Sequence, residues 1–103
     1  MNTTEILIEA KHLIETPDQW CQNIGSILTV TKTAYCSFAA INVASYNLDK
    51  DYCPAAQCYA LELLRKAISD VCISKWNDEP TRTHAEVLAA FDKAILLSKE
   101  NSK

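Results

Sequence analysis

The stretch KWNDEPTRTHAEVL, residues 75–88, separates two apolar helical patterns and thereby decides how the chain folds. Pro80 prevents a helix that arrives from the N-terminal side from continuing. Thr83 followed by Glu86 has the spacing of a capping box, which begins a new helix. Trp76 follows the preceding apolar pattern directly, and we expect it to fill one end of the core. The stretch therefore predicts a joint between two packed helices.

Apolar residues recur at helical spacing in four segments, which predicts an all-α fold. The predicted helices cover about residues 4–16, 34–46, 54–74 and 84–99. Thr33 is expected to cap the second helix. The stretch SILTVTKT, residues 26–33, is β-branched and weakly alternating, but no second strand of equal strength exists to pair with it. We therefore expect residues 17–32 to form an extended connector, with a short hairpin as the alternative. The sequence predicts one domain over residues 1–103, a compact bundle of four helices.

Composition and charge exclude several classes of protein. Only one of the 103 residues is Gly, which disfavours a β-sandwich or barrel with its many tight turns. The net charge is −3 and the basic residues are scattered, which argues against a nucleic-acid binder. The first helix carries Glu5 and Glu9 where a signal peptide would be basic. No apolar run reaches the length of a membrane span. We therefore expect a cytoplasmic protein that binds neither nucleic acid nor membrane.

The cysteines and histidines show no spacing typical of a metal site. The five Cys lie at positions 21, 36, 53, 58 and 72, and the two His are isolated at 12 and 84. Without an export signal the cysteines are expected to be free thiols. We expect Cys36, Cys58 and Cys72 to act as small buried hydrophobic residues. No metal and no cofactor is predicted.

One enzymatic alternative uses Cys36 and His84. Cys36 lies near the N-terminus of the second predicted helix, where the helix dipole activates a thiol, and His84 begins the last helix. Asn77 or Asp78 could orient that imidazole. The alternative prediction is a small cysteine-dependent hydrolase.

The polar residues of the joint have a structural and a functional interpretation. Asn77 and Asp78 are residue types whose short side chains bond nearby backbone, and Arg82 is expected to pair with Asp78 across the turn. In the functional interpretation, Asn77, Asp78 and Arg82 contact a binding partner. We favour the structural one.

The segment WNDEPTRTHAEVLAAFDKAI, residues 76–95, resembles a small helical domain of unknown function from uncharacterised bacterial and phage proteins. Their pattern runs W-N-D-x-P-x-R-T-x-x-E-V-L, preceded by an aromatic-Cys-x-x-Gly-Ala-Leu helix start. YCSFAAI, residues 35–41, is similar to that start, with Ala39 in place of the Gly and Ile41 in place of the Leu. The resemblance covers about residues 4–97 and implies the fold without an activity.

These observations predict a non-catalytic protein-binding or regulatory domain. The partner is expected to be a protein, and the sequence is also compatible with a homo-oligomer. Because the resemblance includes phage proteins, the expectation extends to an accessory protein of a phage or mobile element, such as an inhibitor of a host defence system.

Overall fold

The computed structural model describes residues 3–24, 26–28, 33–48, 54–70 and 72–101. It confirms the prediction of a compact, mostly helical fold. Within the described ranges, five α-helices and a short two-stranded antiparallel sheet follow one another. The elements are α1 (Thr3–Leu13), a 3-10 helix (Pro17–Gln19), β1 (Ser26–Leu28), β2 (Thr33–Tyr35), α2 (Ser37–Leu48), α3 (Pro54–Ile68), α4 (Ile73–Asn77) and α5 (His84–Asn101).

The core lies where α1 packs against α2, α3 and α5, and α3 packs against α5. Each long helix turns one apolar stripe inward, as its spacing predicts. The largest apolar side chains that are completely buried are Phe91, Ile6, Leu7, Ile14, Ile41, Leu63, Leu64 and Val87. Trp76 packs against this core and is only partly buried. Cys58 and Cys72 are exposed, so the expectation that they are buried was wrong.

The predicted connector, residues 17–32, contains more structure than expected. The first helix ends at Leu13, and Pro17–Gln19 form a 3-10 helix. β1 then pairs with β2, with Ile27 opposite Ala34, so a hairpin does form. The sheet gains a further contact from a parallel bridge between Trp20 and Tyr35. A two-residue bridge and a short hairpin are stable here because they lie against the helices.

The second helix begins later than predicted, because its first predicted residues form β2. The backbone N–H of Ala40 donates to the carbonyl of Cys36 at 2.9 Å, which is the first helical bond. The sulfur of Cys36 also accepts the N–H of Ala39 at 3.4 Å. Cys36 therefore occupies the capping position that the sequence assigned to Thr33.

The third helix ends at Ile68, six residues before its predicted end at 74. Ser69 adopts the left-handed conformation with φ of 57°. Its N–H donates to the carbonyl of Lys66, and the N–H of Asp70 reaches back to the carbonyl of Arg65. This pair of bonds is a Schellman motif, in which glycine ordinarily takes the left-handed position. The apolar pattern continues past the break into α4, and Val71 lies outside the described residues.

Phe91 tests the assignment of the core. Phe91→Ala is expected to lower the free energy of unfolding by about 3–5 kcal/mol, because it removes a completely buried aromatic ring. Leu96 on the same helix is 57% exposed, and Leu96→Ala, the matched control, should change stability by less than about 0.5 kcal/mol. Urea denaturation followed by circular dichroism measures both values. Equal losses would contradict the core described above.

Candidate functional site

Asn77 is the most extensively bonded side chain of the joint, and it has no exposed surface. Its Oδ1 accepts hydrogen bonds from the indole Nε1 of Trp20 at 2.7 Å and from both the backbone N and the Oγ of Ser37, at 3.0 and 2.6 Å. Its Nδ2 donates to the carbonyl of Cys21 and to Oδ1 of Asp78, each at 3.0 Å. The side chain thus satisfies polar groups from three separate parts of the chain.

The amide of Asn77 continues a parallel strand pairing that the backbone begins. The N–H of Cys21 donates to the carbonyl of Tyr35 at 3.1 Å. In a regular parallel ladder the next bond would run from the N–H of Ser37 to the carbonyl of Cys21. Those two groups instead bond the Oδ1 and the Nδ2 of Asn77. The side chain takes the place of a peptide group between two diverging segments.

The segment after Cys21 is held to the same joint by two further side chains. Nε2 of Gln22 donates to the carbonyls of Asn77 and Glu79, at 2.9 and 2.8 Å. Asn23 has φ of 67°, a conformation that asparagine tolerates better than most residues. Its N–H donates to Oδ1 of Asp78 at 2.7 Å. The Asp78 carboxylate therefore holds the connector through this hydrogen bond.

Arg82 does not pair with Asp78, and that prediction was wrong. Its guanidinium carbon lies 4.0 Å from the centre of the Trp76 ring, and its Nε donates to the Trp76 carbonyl at 3.0 Å. Its ion pair is with Glu86, at 3.5 Å. The Arg82 side chain is 19% exposed, so most of it covers the face of the indole.

Thr83 and Glu86 form the predicted capping box at the start of α5. The N–H of Thr83 donates to Oε1 of Glu86 at 2.9 Å, and the N–H of Glu86 donates to Oγ1 of Thr83 at 3.2 Å. The hydrogen bond from the Thr83 backbone, helped by the nearby Arg82 charge, lowers the pKa of Glu86. The carboxylate is thus held in its ionised form.

The residues of the hydrolase alternative have other partners. The Cys36 thiol is buried at the start of α2, where it accepts the Ala39 N–H. Nε2 of His84 bonds the carbonyl of Ile14 at 2.7 Å, and the imidazole lies 6.1 Å from the Trp20 ring. No hydrogen bond joins Cys36 to His84 in the structure.

An open groove lies beside the joint, between the end of α3, the short α4 and the first half of α5. Its volume is about 320 Å³. Trp76 forms one wall, and small or apolar side chains form most of the floor. The groove is lined by Ala67, Ile68, Trp76, Glu86, Ala89, Ala90 and Lys93.

The described residues contain no group of three or more potential metal ligands. Within the same residues, no helix has both the length and the apolar character needed to cross a membrane.

Sequence reasoning missed the long-range partners of Asn77, which are Trp20, Cys21, Gln22 and Ser37. A buried indole needs an acceptor for its N–H, so Trp20 was the one available signal that a polar side chain lies behind the connector. Ser37 and Gln22 carry no comparable signal, because both residue types are common at helix starts and in loops.

A family model matches residues 1–97, and its description is "Family of unknown function (DUF6197)". The chain belongs to this family. No curated protein and no solved structure matched the sequence. Membership in DUF6197 is consistent with the resemblance noted above and implies no activity.

Asn77→Ala tests whether the joint depends on this side chain. The change leaves the Trp20 indole, the Ser37 donors and the Cys21 carbonyl without their partner, and each unsatisfied buried group costs about 1–3 kcal/mol. We expect a loss of at least about 3 kcal/mol in the free energy of unfolding. Asn47 is exposed on α2, and Asn47→Ala, the control, should cost less than about 0.5 kcal/mol. A mild effect of Asn77→Ala would contradict the role assigned to it.

Glu86→Gln tests the charge at the start of α5. Because the pKa of Glu86 is lower in the folded state than its ordinary value of 4.5, the ionised carboxylate stabilises the fold above that pH. This contribution is lost as the pH falls through the lowered pKa. Glutamine keeps an oxygen acceptor, so the difference in unfolding free energy between wild type and variant should shrink from pH 7 to pH 3. A difference that is constant over this range would be evidence against the effect.

Proposed function

We propose that this DUF6197 domain is a non-catalytic protein-binding domain that acts in the cytoplasm. The observation that supports the proposal is the groove beside Trp76. Tryptophan and arginine are the residues most enriched at the energetic centres of protein interfaces. Here the two are stacked at the groove, and their mutual contact fixes the indole before a partner arrives.

The lining of the groove favours a helical partner. Ala67, Ala89 and Ala90 keep the floor low, so the backbone of a second helix can approach closely. Ala89, Lys93 and the exposed Leu96 follow one another at helical spacing along the outer side of α5. A partner helix whose apolar residues contact both the groove and Leu96 would bury a continuous apolar strip along α5.

Lys93 makes the groove favour a partner with an acidic residue. It stands at the rim of the groove and forms no ion pair within the described residues. Glu86, the acidic residue of the rim, is already bonded to Thr83 and Arg82. An acidic residue of the partner would therefore find an available cation at Lys93. We propose an amphipathic helix with an acidic edge.

Most polar residues of the joint contribute to the proposed binding of a partner only indirectly. Asn77 is buried, and Asp78 bonds the connector, so the polar groups of both are already engaged within the domain. Arg82 lies over the ring of Trp76, which lines the groove, and its side chain keeps 19% of its surface exposed. Of the three candidate binding residues, Arg82 is the one that we propose to contact the partner.

The resemblance to bacterial and phage proteins leads us to include a regulatory role in the proposal. A small domain that occupies a surface of another protein can block it, and an inhibitor of a host defence system would act in this way. This role follows from the binding proposal and requires no chemistry of the domain itself.

The groove is tested by a matched pair of substitutions at exposed alanines. Ala89→Glu places a bulky carboxylate in the groove, whereas Ala55→Glu places the same group on the first turn of α3, far along that helix from the groove. Both variants should keep the fold. A bacterial lysate is passed over each immobilised protein, captured proteins are identified, and the complex is rebuilt from purified components.

We expect a partner that binds wild type and Ala55→Glu in equal amounts, and whose affinity for Ala89→Glu falls at least about tenfold, the equivalent of about 1.4 kcal/mol. A partner that binds both variants equally would place the interface elsewhere. Modification of Cys36 by iodoacetamide in the folded protein, with no stoichiometric partner, would favour the hydrolase alternative instead.

A further inference from the structure

Two buried cysteines lie opposite each other where the connector meets the start of α2. Trp20 pairs with Tyr35 in a parallel bridge, and the N–H of Cys21 donates to the Tyr35 carbonyl. The next residues in this register are Cys21 and Cys36. Side chains at matching positions of neighbouring parallel segments leave the sheet on the same side.

The spacing of the two segments suits a disulfide. Neighbouring strands lie about 4.8 Å apart, and disulfides join residues whose Cα atoms are about 4.4–6.8 Å apart. The segments begin to diverge after Cys21 and Cys36, since the amide of Asn77 enters between the Cys21 carbonyl and the Ser37 N–H.

Both thiols are reduced in the structure and nearly covered. Cys21 is 7% exposed and Cys36 is 6% exposed, and neither belongs to a disulfide. We expect the small exposed fraction of each thiol to be enough for a small oxidant to reach the sulfur. Bulky thiol reagents should react instead with Cys58 and Cys72, which are exposed.

We propose that Cys21 and Cys36 form an intramolecular disulfide when the domain meets a peroxide. One thiol, as thiolate, attacks an oxygen of hydrogen peroxide, which leaves a sulfenic acid and releases one water after protonation. The sulfur of the second thiol then attacks the sulfenic sulfur, the S–S bond forms, and a second water leaves. Two thiols and one peroxide become one disulfide and two waters.

The disulfide reinforces the joint that Asn77 builds. Cys21 contributes a carbonyl to the Asn77 amide, and Ser37, which follows Cys36, contributes two donors. A covalent link there keeps the connector on α2 even when the Asn77 hydrogen bonds open. Oxidation therefore adds a covalent link between the connector and the start of α2, which hydrogen bonds alone held together before.

The test uses the full chain with Cys58→Ser and Cys72→Ser, so that the exposed thiols do not cross-link molecules. The folded protein is treated with hydrogen peroxide, excess peroxide is removed, free thiols are alkylated under denaturing conditions, and peptides are identified by mass spectrometry without reduction. We expect a Cys21–Cys36 linked peptide, and a melting temperature raised by at least about 5 °C that returns on reduction.

The matched control is the same chain with Cys36→Ser, which removes one thiol and keeps a side chain of similar size. It should form no linked peptide, and peroxide should not raise its melting temperature. Should that variant fail to fold, the peptide map of the parent chain decides alone. Recovery of Cys21 and Cys36 as alkylated thiols, or their linkage to Cys53 or to a second molecule, would overturn the proposal.

Discussion

The attachment of the connector and of α4 to the start of α2 depends on one buried amide, the side chain of Asn77. Helices can pack by their apolar stripes alone, but residues 20–22 and the start of α2 carry backbone groups that no helix satisfies. A backbone group that is buried without a hydrogen bond lowers the stability of the folded state. The free energy lost for each such group is as large as the free energy that several good apolar contacts contribute. The Asn77 amide has both a donor and an acceptor and can therefore stand between a carbonyl and an N–H. That property fixes where α4 lies relative to the connector.

The helical core was predictable because apolar periodicity reports burial directly. The stripes of α1, α3 and α5 point to the residues that the structure buries, with Leu63 and Phe91 among them. The end of α3 was not predictable, because Ser69 stands in a left-handed position where glycine is the usual signal. The apolar spacing also continued past the break, so periodicity alone favoured one long helix.

The joint shows a second limit of sequence reasoning. Asp78 and Arg82 have opposite charges four residues apart, which suggests a pair, yet each has a partner with better geometry. Asp78 accepts the N–H of Asn23, 55 residues away in the chain, and no local pattern reports such a contact. The Arg82 guanidinium lies over the Trp76 ring, because this weakly hydrated cation loses little there and keeps an ion pair with Glu86. A long-range partner decided the outcome for Asp78, whereas two nearby residues, Trp76 and Glu86, decided it for Arg82.

The same geometry separates the residues that hold the joint together from the residues at the surface of the groove. The polar groups of the motif residues Asn77, Thr83 and Glu86 form hydrogen bonds within the joint itself. A motif of this kind, when two proteins share it, therefore indicates a shared fold and not a shared function. The groove depends on Trp76 for one wall and on side chains of α3 and α5 for its floor. Exposed positions such as Ala89 and Lys93 can change without disturbing Asn77. Domains that share the joint can thus differ in the surface they present, which is what binding different partners on one scaffold requires.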